Sequence, residues 1–93
     1  MTTALWLRLI KNGKIIKDST HPCTHEMWQE ALQEMCEALD MQKPLILPKH
    51  QREFDQFSLT RFLPEHFMES VSFDRAEIEF IDPKKKKKNN EFY

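Results

Sequence analysis

Leu5-Trp6-Leu7-Arg8-Leu9-Ile10-Lys11-Asn12-Gly13-Lys14-Ile15-Ile16-Lys17 decides the fold of this chain, because Asn12-Gly13 separates two apolar-rich runs. A type I′ turn needs positive φ at both central residues, and Asn and Gly adopt it at low steric cost. A two-residue loop predicts Ile10 opposite Ile15, Leu9 opposite Ile16, Arg8 opposite Lys17 and Leu7 opposite Asp18. Side chains alternate along a strand, so Leu5, Leu7, Leu9 and Ile16 share one face, the expected core. Trp6, Arg8, Ile10, Ile15 and Lys17 share the other. Three sizeable apolar groups on a face that should meet water need a cover, either the chain's own second short helix or a partner.

Beyond the hairpin, Trp28, Ala31, Leu32, Met35 and Leu39 recur at spacings of three and four, with Gln29, Glu30, Gln33, Glu34 and Glu37 between them. This predicts an amphipathic helix over residues 24–40, with Thr24 as N-cap and Glu26 near its positive end. Lys43-Pro44 blocks its continuation. Leu47-Pro48-Lys49-His50 and Leu63-Pro64-Glu65-His66 repeat the pattern Leu-Pro-x-His. Proline suits a first helical position, so the first copy opens a helix over 48–57 with His50, Phe54 and Phe57 on one side, and the second a single turn. We read the echo as repeated turn chemistry.

Residues 76–81 alternate Ala76, Ile78 and Phe80 with Glu77 and Glu79, a half-buried strand whose acids suit a place beside Arg8 and Lys17. The expected fold is α+β: a three-stranded antiparallel sheet in ββαβ order, packed on one main helix with one or two short extra helices. It forms one domain over residues 1–83, followed by a basic flexible tail over 84–93.

Composition narrows the function. The chain has 93 residues and a net charge of −1, but Lys84, Lys85, Lys86, Lys87 and Lys88 supply five of its fourteen basic residues. Residues 1–83 hold nine basic and fourteen acidic residues, net −5, a poor surface for phosphate backbones. A single Gly excludes phosphate-cradling loops built on two or three glycines. No apolar run, residues 45–47 included, comes near a bilayer span. No basic segment followed by an apolar core stands at the start, so a cytoplasmic location without membrane association is expected. Cys23 and Cys36 lack a CxxC spacing and read as reduced thiols.

Three groups of residues invite chemistry. His21-Pro22-Cys23-Thr24-His25 alternates possible metal ligands, with Cys36, His50 and His66 further on, but the second tight pair of a structural zinc site is missing. His50 with Glu53, and His66 with Glu65 or Glu69, are carboxylate–imidazole pairs without a nucleophile motif. Phe54, Phe57, Phe62 and Phe67, interleaved with Arg52 and Arg61, suit either stacking on single-stranded nucleic acid or a protein-docking surface. Neither metal nor cofactor is expected.

Residues 47–54, together with Arg61-Phe62-Leu63-Pro64-Glu65-His66-Phe67 and Phe73-Asp74-Arg75, resemble short cytosolic proteins of clostridial-type bacteria to which no activity is assigned. The resemblance covers most of residues 4–83, implies a bacterial cytosolic domain and carries over no functional residues.

The expected function is a non-enzymatic interaction module. It binds a protein partner, or a second copy of itself, through the outer sheet face and segment 52–67, with Trp6, Ile10, Ile15, Arg52, Arg61 and Phe62 as contacts. The alternative is a nucleic-acid-associated protein using Lys84–Lys88. Third is a small metal-dependent or hydrolytic enzyme, which needs His50 and His66 within roughly 7 Å in a concave, partly polar site.

Overall fold

In the computed structural model, which describes residues 3–82, Asn12 and Gly13 both take positive φ, 54° and 77°. They join β1 (Ala4–Lys11) to β2 (Lys14–Pro22) with Ile10 opposite Ile15, as the turn dictates. The register then shifts by one residue, and Leu9 lies opposite Lys17 instead of Ile16. This bulge corrects the predicted pairing and has a physical consequence. Regular pairing would set Arg8 against Lys17, like against like. The shift sets Arg8 against Asp18 and expels Ile16, which is 51% exposed rather than in the core.

The sheet has four strands in the order β2-β1-β4-β3, all antiparallel, not three. The strand missed in the sequence is β3 (Leu59–Phe62), next to β4 (Arg75–Ile81). Four residues between a helix and Leu63-Pro64 leave little room for a period, yet Thr60 and Phe62 point into the core while Leu59 and Arg61 do not. The expected neighbour of the last strand is half right. Glu77 lies beside Arg8, but Lys17 is on the far strand of the hairpin, out of reach.

Both helices cover one face of the sheet. A 3-10 turn (His25–Met27) leads into α1 (Trp28–Ala38), which packs on β1 and β2 with Trp28, Ala31, Leu32, Met35 and Cys36 buried. Thr24 stands at the N-cap of that turn without a side-chain capping bond. At the other end Asp40 takes φ 56°, its N–H donates to the Glu37 carbonyl, and the Met41 N–H donates to the Cys36 carbonyl. This Schellman closure stops α1 before Pro44 is reached.

Helix α2 (Pro48–Phe57) ends at Ser58, whose left-handed conformation turns the chain straight into β3. Phe54 of α2 stacks on Trp28 of α1 at 4.6 Å between ring centroids and lies 4.8 Å from the His25 ring. It ties the two helices over Leu5, Leu7 and Ile78 of the sheet. Phe57, expected beside it, is 69% exposed. The tail over 84–93 lies outside the described residues. Among the described residues no helix is long and apolar enough to cross a membrane.

Two phenylalanines of one helix should therefore behave oppositely. Phe54→Ala is expected to cost about 3–5 kcal/mol and Phe57→Ala within about 0.5 kcal/mol, read from urea unfolding midpoints. Equal losses would place the helix face wrongly.

Candidate functional site

Each Leu-Pro-x-His copy folds into the same closed turn. The Leu47 N–H donates to Nδ1 of His50 at 2.9 Å, and the His50 N–H returns to the Leu47 carbonyl at 2.9 Å. Leu63 and His66 repeat both bonds at 2.9 Å, the second copy forming only a 3-10 turn (Pro64–His66). Histidine here takes the place that Glu or Gln holds in a capping box, reaching back from the third helical position to the N-cap amide. Proline between them fixes φ and needs no donor. The repeat is thus turn chemistry.

The two imidazoles then pack on each other edge to face, 4.6 Å between centroids, with Phe62 4.4 Å from His50. His50 is wholly buried, and its Nε2 finds no conventional hydrogen-bond partner. The neighbouring rings offer π faces, weak acceptors at best. Burial lowers the pKa of His50 from its ordinary 6.5, and the His66 and Lys49 charges push the same way. With Nδ1 accepting from the backbone, the proton of each neutral ring sits on Nε2. Neither ring keeps a free lone pair for a general base.

An open cleft of ≈ 400 Å³ lies between α2 and β3. Its helix wall is the stripe Lys49, Glu53 and Phe57, spaced by four, and its strand wall is Leu59, Arg61 and Leu63, spaced by two. Phe57 and Leu59 meet at the Ser58 turn, and His66 joins the lining near Leu63. Glu53 accepts a 2.6 Å hydrogen bond from the Thr60 hydroxyl. β3 is the last strand of the sheet. The Phe80 N–H donates to the Ser58 carbonyl, and antiparallel pairing alternates, so Thr60 and Phe62 bond to β4. Leu59 and Arg61 therefore turn their main-chain N–H and C=O groups to the free edge.

The opposite face of the sheet is not the apolar surface expected. Asp18, Arg8, Glu77 and Arg61 lie side by side across all four strands, alternating in charge. Arg8 bonds Glu77 at 3.1 Å and Glu79 at 3.0 Å, and Arg75 bonds Glu77 at 2.7 Å. Burial alone would raise the Glu77 carboxyl, but the bonds and charges of Arg75 and Arg8 outweigh it and hold it below its ordinary 4.5. The Arg8 guanidinium stacks 4.3 Å over the Trp6 ring, whose Nε1 donates to Asp18 at 3.0 Å.

Of the six residues expected to meet a partner, Phe62 is wholly buried and Ile10 is 6% exposed, so neither is a surface contact. Trp6 is half-buried under its own neighbours, Ile15 is half-exposed near the hairpin tip, and Arg52 is exposed outside the cleft. Arg61 alone of the six lines it. Phe57, Leu59, Leu63 and His66 fall within the expected binding segment 52–67 but were not singled out as contacts, and Lys49 lies outside it. The period-four stripe 49/53/57 was the signal available.

The alternating ligands separate. His21 stands 3.6 Å from Glu34 of α1, His25 packs on Phe54 and Phe80, and the Cys23 N–H donates to the Thr3 carbonyl. Among the described residues no three His, Cys, Asp or Glu side chains converge as a metal site. Both cysteines are free, and burial pushes the Cys36 thiol up to about 11, which makes it a poor nucleophile. No family model, curated protein or solved structure matches the chain.

The buried His50 predicts an acid-sensitive fold. Its folded pKa lies below 6.5, so an unfolded chain binds the proton first and stability is complete only above that value. The urea midpoint should fall between about pH 7.5 and pH 5.5, and His50→Gln, which keeps a capping acceptor but cannot titrate, should flatten that range. Glu77 adds its own loss only as pH falls below 4.5. A His50→Gln profile as steep as that of the unmodified protein would assign the transition to another group.

Proposed function

We propose that this chain is a non-enzymatic interaction module that captures an extended segment of a protein partner by adding it as a strand beside β3. The observation that carries this reading is the free edge of β3 opening on a helix-walled cleft. An added strand would find four main-chain hydrogen-bonding groups on Leu59 and Arg61, with Phe57, Leu59 and Leu63 as apolar walls. The other sheet edge, β2, is protected by its bulge, by Lys14 and Lys17, and by Pro22. No bulge or proline interrupts β3.

The enzymatic reading has its distance, since the two imidazoles are 4.6 Å apart and His66 lines the cleft. It lacks a base, because both Nδ1 lone pairs are committed to backbone amides. A cytoplasmic setting agrees with the two free cysteines.

Selection from a displayed library of random heptapeptides tests the proposal. Bound peptides should slow hydrogen exchange at the Leu59 and Arg61 amides and leave Thr60 and Phe62, already bonded to β4, unchanged. Arg61→Pro removes an edge donor together with the guanidinium, leaves the bonds to β4 in place, and should abolish binding while the urea midpoint holds. An empty selection, or bound peptides that protect neither amide, would overturn it.

A further inference from the structure

The charge row across the sheet runs Asp18, Arg8, Glu77, Arg61 and stops at the free edge on a cation. Glu77, the acid beside Arg61, has Oε1 bonded to Arg8 and Oε2 to Arg75. Among the described residues Arg61 has no ion-pair partner, and neither does Lys49 across the cleft. Glu53, the acid in the cleft lining, is engaged by the Thr60 hydroxyl. The His66 ring accepts at Nδ1 and has its Nε2 3.8 Å from the Glu65 carboxylate. The charged side chains of the cleft without a partner are thus two cations, Arg61 and Lys49, on a body whose residues 1–83 sum to −5.

We propose that the segment captured at β3 is acidic, with a Glu or Asp side chain placed directly opposite Arg61. The inference rests on the strand-addition reading and names its partner chemistry. A residue paired with Arg61 on an added strand shares its face, so an acid there continues the alternation by one step and gives Arg61 the carboxylate it lacks. Side chains two positions away fall on the same face and sample Leu59 and Leu63. An acidic segment also suits Lys49 on the helix wall, whereas a basic one would meet like charge at Arg61 and Lys49 and find only Glu53, already bonded to the Thr60 hydroxyl, as a counter-charge.

Three capped hexapeptides of one sequence test this, with Val at alternate positions and Glu, Gln or Lys at the others, each carrying a fluorophore for anisotropy titration. The Glu peptide should bind about tenfold or more tightly than the Gln peptide, as one charge-assisted bond supplies, and the Lys peptide more weakly than both. In Arg61→Gln the Glu-to-Gln ratio should fall towards one. Equal binding of Glu and Gln peptides, with Leu59 and Arg61 amides protected by both, would overturn the acid preference and leave strand addition standing. Failure of all three, with an empty library selection, would remove both. Competition by single-stranded oligothymidine as effective as by the Glu peptide would reassign the cations to general anion attraction and overturn the inference.

Discussion

The site depends on two histidines, each giving a lone pair to the backbone. Leu47 and Leu63 stand at turn entrances where the N-cap amide needs an acceptor, and each finds it in the imidazole three residues on. Because the rings also pack against each other, the start of α2 and the exit of β3 are fastened at one point. Ser58 fastens the other ends, through a left-handed turn with no intervening loop. A helix and a strand joined at both ends keep a fixed separation, and the cleft is the space between them. Releasing either imidazole opens one end of that frame.

The charge row on the outer face has a second effect, on where a partner can act. A sheet covered by helices on one side leaves its other side to solvent, and here that side is closed by ion pairs and by Arg8 stacked on Trp6. Arg8 and Glu77 are themselves largely shielded, so their pairing is a fixed part of the sheet rather than a loose surface contact. With the face self-satisfied, the unmet hydrogen-bonding capacity of the sheet collects at an edge. Edges differ in accessibility, and β3, bordered by a cleft rather than by a bulge and lysines, is the accessible one.

Much of the fold was legible in the sequence. Asn12-Gly13 announced the hairpin, the three-and-four spacing announced α1, Pro48 marked the start of α2, and the acidic alternation after Arg75 marked β4. The bulge was not legible from turn chemistry, because it answers a long-range demand that Arg8 face an acid on either side. β3 was hidden by its length. Four residues give two inward positions, and Thr60 and Phe62 read equally well as parts of an aromatic segment. The burial of Phe62 removed it as a contact, while the exposure of Phe57, expected on one side with Phe54, makes it a cleft wall. The cleft itself was beyond sequence reasoning, since its two walls are neighbours only once β3 is recognised as an edge.

The protonation of the two imidazoles decides between a binding cleft and an acid–base site, and long-range nitrogen–proton NMR correlation of the histidine rings measures it. The structure requires both His50 and His66 to carry the proton on Nε2 at neutral pH, with Nδ1 showing the shift of an acceptor. A proton on Nδ1 of either ring would free an Nε2 lone pair, break the turn that frames the cleft and contradict the account.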